Sequence, residues 1–399
     1  MKFSGVALAA LASLVSGTEC KGSCSSTSSS RSGGSSTSNN TLTVDRAPDF
    51  VRPYVLPRFH GKAVMLTKTQ TITFSITANS SGGAFTLVQH NGKVTNWLNA
   101  RPHVHKTYHE HFYCSRGRVE LWTKENTTSG EEEARVASFG DYGNVPPGVI
   151  HTFQLIDPDS QLTHAFHPAG FEKLFDDVSG GQFASGVHAP YVPDPVDEQP
   201  YGPMTPELHA LFEPLDLFAV PEQQYIPRRD FVNGTASSEG LNWHNGTNDL
   251  PADNTKPYFV ANNYGPKFLN TDKGYKVIQP ISRTDNSHNH NFTMGTIIMS
   301  PKRDNETEEH VTLPHHLGIQ MDDGQLVLSV DGYKKTYLLQ GDVAFIPAGT
   351  PFSYHATVPF TKFLYLNAGP HGLEYELLNR SVSWGFPSYP VDAGFKAVP

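Results

Sequence analysis

Four residues between Arg101 and His151 have the types and spacing of a metal site. His103 and His105 are separated by one residue, Glu110 follows, and His151 comes after a Pro146-Pro147-Gly148 turn. Side chains alternate along a β-strand, so a His-x-His pair on a strand turns both imidazoles to one face. Glu110 adds a carboxylate nearby, and His151 returns on a neighbouring strand. Three imidazoles with one carboxylate suit copper, iron, nickel, manganese or zinc, and disfavour calcium and magnesium. With 19 histidines in the chain, a wet histidine-rich surface is the plain alternative for any one pair. Four ligands held in one glycine and proline framework favour a metal site over such a surface, and one metal per chain is expected.

That framework reads His103-Val104-His105, Glu110, Gly117, then Gly140-x5-Pro146-x-Gly148-x2-His151, and it resembles the two-part cupin signature. Strand alternation then says what surrounds the metal. If Glu110 faces inward, Phe112 and Cys114 share its face; beyond the turn, His151, Phe153 and Leu155 face the same way. A phenylalanine-lined wall beside an open metal position suits a flat, oxygenated organic substrate, although inward aromatics are also ordinary barrel core.

The elements that must carry these residues are short and β-rich. Runs such as Arg118–Trp122 and Leu326–Val330 alternate with Gly and Pro punctuation, and sustained helical periodicity is scarce. The fold class expected is all-β: two jelly-roll barrels joined by an irregular linker. An internal echo supports the pair, since Gly140-Asp141-x4-Pro146-x-Gly148 is answered by Gly341-Asp342-x4-Pro347-x-Gly349. The expected organisation is a signal peptide at 1–17, a Ser/Gly-rich flexible leader at 18–43, and an N-terminal metal-binding barrel at 44–185. A linker at 186–256, with a short helix near Pro206 to Phe212, leads to a C-terminal barrel at 257–399. In that second barrel the ligand positions fall on His310, Thr312, Leu317 and Phe352, so no second metal is expected there. The adjacent pair His315-His316 points to opposite faces of a strand, and His288-Asn289-His290 reads as a polar surface turn.

The run Val6–Val15 behind Lys2 is too short to span a bilayer and reads as a secretory signal. Sequons at Asn39, Asn79, Asn126, Asn233, Asn245, Asn291, Asn305 and Asn379 agree with secretion and N-glycosylation. Cys20 and Cys24 can pair locally, whereas Cys114 reads as a small buried residue. A net charge of −9 without a basic block disfavours nucleic acid, and no other segment is apolar enough to cross a membrane.

At the level of whole segments the chain resembles the fungal quercetin 2,3-dioxygenases, secreted two-domain cupins. The resemblance rests on Ala47–Tyr54, Gly82–Leu87, Gly140–Gly143, His151–Asp159, Gly170–Phe175, Tyr264–Lys267 and Gly341–Pro347. It implies copper held by His103, His105, His151 and, in part, Glu110. It further implies that Glu110 accepts the flavonol 3-hydroxyl proton, with dioxygen as co-substrate and a depside and carbon monoxide as products. Phe112, Phe153 and Phe171 match the substrate wall of that family. Leu162 stands for a methionine, His164 for a glycine and Phe166 for an isoleucine; Val88 and His90 fall near a methionine and a threonine. The two extra imidazoles would narrow and polarise the cavity. An oxygenase for another phenolic or enolic polyketide, a non-oxidative isomerase, cyclase or decarboxylase, and a storage bicupin are the competing readings. The chain is expected as a monomer or homodimer.

Overall fold

A computed structural model describes residues 40–185, 188–192, 202–232, 235–236, 243–308, 310–386 and 388–390. The signal peptide, most of the leader with Cys20, Cys24 and the Asn39 sequon, and the Asn233 sequon lie outside the described residues. So does the proline-rich stretch 193–201 of the linker.

The N-terminal half runs β1 (Tyr54–Leu56), β2 (Lys62–Thr67), β3 (Gln70–Ile76), β4 (Thr86–Gly92), β5 (His103–Val104), β6 (His109–Arg116), β7 (Val119–Lys124) and β8 (Glu132–Ala137). It continues with β9 (Tyr142–Val145), β10 (Ile150–Leu155), β11 (Ser160–His167) and β12 (Gln182–Phe183). The linker adds β13 (Phe218–Ala219), β14 (Phe231–Val232) and β15 (Thr235–Ala236) after a helix at Pro206–Phe212. Then come β16 (Tyr258–Val260), β17 (Phe268–Asn270), β18 (Lys276–Ser282), β19 (Thr293–Met299), β20 (Leu317–Asp323) and β21 (Leu326–Val330). The last strands are β22 (Thr336–Leu338), β23 (Val343–Ile346), β24 (Phe352–Ala356), β25 (Thr361–Asn367) and β26 (Val382–Ser383). Strands dominate the described residues and helices there are few and short, so the fold is all-β.

Each barrel closes two antiparallel sheets over an apolar interior. In the first, the sheet β12-β2-β3-β4-β11-β6-β9-β16 faces the sheet β13-β5-β10-β7-β8-β15-β14. In the second, β1-β23-β20-β25-β19-β18-β17-β26 faces β22-β21-β24. The two larger sheets pack back to back: Phe85, Leu87 and Tyr113 of the first join Phe292, Met294, Phe345 and Leu366 of the second in one core. Polar pairs cross the same seam, among them Gln89 to Gln320 at 3.1 Å and Tyr113 to Asp322.

The barrels also exchange strands. Tyr54–Leu56, early in the chain, pairs with Val343–Phe345 of the second barrel, and Tyr258–Val260 pairs with Tyr142–Asn144 of the first. Both guests carry a Pro-Tyr start, and both tyrosine hydroxyls donate to a backbone carbonyl: Tyr54 to Ser75 at 2.8 Å, Tyr258 to Ile281 at 2.9 Å. Their hosts are the two strands inside the Gly-Asp-x4-Pro-x-Gly echo, so the exchange repeats with the internal symmetry. Edge strands with unpaired amides are thereby covered.

Candidate metal centre and its surroundings

The site assembles on three strands and the turn between two of them. His103 lies on β5 directly opposite His151 on β10, and Glu110 is the second residue of β6. His105, past the end of β5, sits in the tight connection to β6, which one linker residue secures. The Asp216 carboxylate accepts from the amides of Lys106, Thr107 and Tyr108 at 3.0, 2.8 and 3.2 Å, while its carbonyl accepts from His105 Nδ1 at 2.7 Å. Asp216 itself holds a left-handed backbone, φ 62°, a conformation that Asp tolerates better than most residues.

The other two imidazoles are oriented the same way. His103 Nδ1 donates to the Arg101 carbonyl at 2.6 Å and His151 Nδ1 to the Val149 carbonyl at 3.0 Å. With each ring proton committed at Nδ1, all three Nε2 atoms present lone pairs, as metal-ligating histidines do. Glu110 Oε2 lies 3.2 Å from His105 Nε2 and 3.0 Å from His151 Nε2, and the ligand atoms of the four residues lie within 4.8 Å of one another. Lone pairs facing a carboxylate at these distances repel unless a cation sits among them. The donor set therefore fits a bound metal, and the ring planes agree: His103, His105 and His151 are mutually tilted by 53–73°, as converging ligands are.

Burial, then the neighbouring His151 and His105, holds His103 well below the ordinary imidazole range. Burial also lowers His151. Burial alone would raise the Glu110 carboxyl, but a hydrogen or positive charge shared with the rings of His105, His151 and His164 brings it well below its ordinary range, so it is an anion. Of those three rings only His164 has an N–H left to give; its Nδ1 lies 2.7 Å from Glu110 Oε1.

The eight residues expected to form the substrate wall are all buried. Phe112, Phe153 and Leu162 share one apolar cluster with Cys114, and Val88, Phe166 and Phe171 share another. Phe171 meets His105 edge-on with ring centres 4.5 Å apart. His164 stands between the two clusters, 4.9 Å from Phe112 and 5.4 Å from Phe153. His90 packs 5.4 Å from Phe153, with its Nε2 3.1 Å from Gln70 Oε1, and burial lowers its pKa to about 3. In the second barrel His310 is exposed, His316 Nδ1 accepts from the Ala348 amide at 2.9 Å, and Phe352 is buried. A cleft of about 430 Å³ between the barrels, bordered by Arg58, Arg116, Gln320 and Asp322, shares no residue with the His/Glu cluster.

Sequence reasoning missed a second buried trio, His109, His111 and His167. The His-Glu-His run around Glu110 carried the signal, since alternation turns His109 and His111 to the face opposite Glu110. Their rings are nearly parallel, tilted by 15–34°, and Phe292 stacks on His111 and His167. Parallel stacked rings do not aim their lone pairs at one point. The nitrogens are engaged instead: His109 Nδ1 accepts from the His288 amide at 3.0 Å, and its Nε2 donates to Asn144 at 2.9 Å. His111 Nε2 and His167 Nδ1 are 3.0 Å apart, and His167 Nε2 reaches the His288 carbonyl at 3.3 Å. His288, expected on a surface turn, thus ties the second barrel to the first. Replacing His111 with Ala is expected to cost about 3 kcal/mol in urea unfolding, a cavity plus stranded partners, with metal content per chain unchanged.

Two antiparallel barrels with, among the described residues, one complete His/Glu cluster define the class, a bicupin with a metal-binding site in its first barrel. No protein-family model matches the chain. It is 37% identical over 354 residues, 88% of this chain and 99% of the relative, to a quercetin 2,3-dioxygenase from Aspergillus japonicus. A quercetin 2,3-dioxygenase from Bacillus subtilis (strain 168) is 24% identical over 81% of this chain and 85% of its own length. Among solved structures, an oxalate decarboxylase variant from Bacillus subtilis covers 80% of this chain and 76% of its own at 15% identity, TM-score 0.46. The formate complex of the Lactobacillus farciminis oxalate decarboxylase covers 80% and 85% at 12% identity, TM-score 0.44. The chain belongs to the quercetin 2,3-dioxygenase family.

Proposed function

We propose that the protein is a secreted, copper-dependent dioxygenase that opens the heterocyclic ring of quercetin-like flavonols with dioxygen, releasing carbon monoxide and a depside. One observation carries the reading: three Nε2 lone pairs and a carboxylate oxygen converge beside an aromatic wall. The activity named for the Aspergillus japonicus relative supports it. His103, His105, His151 and Glu110 would hold the metal, and copper suits a donor set rich in imidazole. When bound, it supplies Lewis acidity and one-electron redox chemistry at the ring to be opened.

The protein's own groups do the rest. Glu110 Oε2 takes the proton of the enolic hydroxyl, which raises the electron density of the ring carbons. Backbone carbonyls of Arg101, Val149 and Asp216 keep the three imidazoles in the ligating tautomer. Phe112, Phe153 and Phe171 flank a planar ligand and exclude water. A second reading, an oxygenase for a different phenolic or enolic polyketide, is favoured by the imidazoles of His90 and His164 in that wall.

Copper-reconstituted protein with quercetin in an oxygen electrode tests this. The expected result is one dioxygen consumed per flavonol, with carbon monoxide released in equal amount. Bound copper without uptake would move the function to the second reading.

A further inference from the structure

His164 has a part to play that orienting Glu110 does not explain. It lies on β11 among the aromatic rings of the wall, 2% exposed. A carboxylate oxygen only accepts hydrogen bonds, so the contact from His164 Nδ1 to Glu110 Oε1 fixes the ring proton on Nδ1. In the neutral imidazole that leaves Nε2 as a bare lone pair, and this atom is buried with no hydrogen-bond partner. The nearest other imidazole, His90, has its ring centre 6.0 Å away and directs its own Nε2 to Gln70. Around the His164 ring stand Phe112, Phe153 and Phe166, whose side chains offer no hydrogen-bond donor. A buried acceptor left unpaired is unfavourable, and such atoms mark positions that a ligand completes. An orienting donor for Glu110 alone would need no atom beyond the Nδ1 position.

We propose that His164 Nε2 accepts a hydrogen bond from a second hydroxyl of the substrate, so that the site selects polyhydroxylated phenols and enols. One ligand oxygen is directed at Glu110 and the metal position, and a neighbouring O–H at His164. The inference deepens the oxygenase reading and rests on its placement of the substrate. It predicts discrimination by hydrogen-bond donation: a hydroxyl is accepted, while a methyl ether at the same position, or no oxygen there, leaves Nε2 unpaired.

Two substitutions separate contact from orientation. His164→Asn ends near the Nδ1 position, so it can still donate to Glu110 Oε1 but has no atom where Nε2 was. His164→Gln reaches the Nε2 position and keeps an acceptor there. The full chain loaded with zinc, which is redox-silent, is titrated by calorimetry with catechol and resorcinol, with their monomethyl ethers, and with phenol. Wild type is expected to bind the better diphenol about tenfold more tightly than its methyl ether or phenol. His164→Asn should reduce that preference to within twofold, and His164→Gln should retain most of it, with zinc per chain the same in all three. A wild-type protein indifferent to the second hydroxyl overturns the proposal, and so does an Asn variant that keeps the full preference. Discrimination by zinc-loaded wild type, without oxygen uptake by the copper form on quercetin, would retain this inference and reject flavonol cleavage.

Discussion

Replacing Glu110 with Gln is expected to lower quercetin-dependent oxygen uptake at least about a thousandfold while one metal per chain is retained. Removing a positioned general base costs typically 10²–10⁴-fold in rate. Metal retention follows from how the rings are held: His103, His105 and His151 each commit Nδ1–H to a backbone carbonyl, and none of those bonds involves Glu110. His164 adds a constraint on the variant. Its Nδ1–H must find an acceptor, so the amide oxygen of the substituted side chain would take the place of Oε1 and turn the NH₂ group toward the metal position. That face can neither accept a proton nor coordinate. Metal analysis and an oxygen electrode on the same preparation check the result. Activity above a tenth of wild type would remove the proton-accepting role from Glu110, and loss of metal would make it chiefly a ligand.

The site also depends on a segment that contributes no ligand. Asp216 collects three amides of the β5–β6 connection on its carboxylate and the His105 ring on its carbonyl, and β13, close behind it in the chain, pairs with the ligand strand β5. The linker is thus part of the barrel wall. A residue 111 positions downstream sets the tautomer of a ligating ring.

These facts explain which features were legible in the sequence. His103, His105 and Glu110 are close in the chain, and alternation with turn chemistry is enough to suggest that they meet His151. The paired Gly-Asp-x4-Pro-x-Gly segments were equally readable, because each must turn sharply at glycines that the fold holds at φ between 73° and 88°. Asp216 was not readable, since nothing local distinguishes an aspartate that caps a distant turn from a solvated one. The strand exchange escaped for a related reason. Tyr54–Leu56 and Tyr258–Val260 look like ordinary short strands, and only their matching Pro-Tyr starts hint that both fill equivalent slots. His109 and His111 were within reach of the same alternation that placed Glu110; what could not be read was His288, which bonds His109 and His167 across the seam between barrels.

The buried histidines make acid stability the other sharp expectation: the metal-free protein should unfold within about one to two pH units below pH 6.5. Burial lowers His90 and His109 to about 3, and holds His103, His111 and His167 well below the ordinary range. In the folded chain these rings are neutral, whereas in the unfolded chain each takes up a proton near its usual value of about 6.5. Below that pH the unfolded state binds more protons, so stability is lost as pH falls; above it these rings contribute no slope. Each contributes up to about 1.4 kcal/mol per pH unit, so five titrating together remove roughly 5–7 kcal/mol per unit, comparable to the whole stability of many proteins. Glu110 acts lower down, because its depressed carboxyl withdraws stability only as pH falls below the ordinary carboxylate value. Urea midpoints at about pH 7.5, 6.5, 5.5 and 5.0 on chelator-treated protein read the slope. Midpoints unchanged between about pH 7 and pH 5 would mean that the rings are already protonated in the folded state, or that solvent reaches them. Either would contradict the dry, neutral packing in which His109 and His111 stack and His103 presents its lone pair.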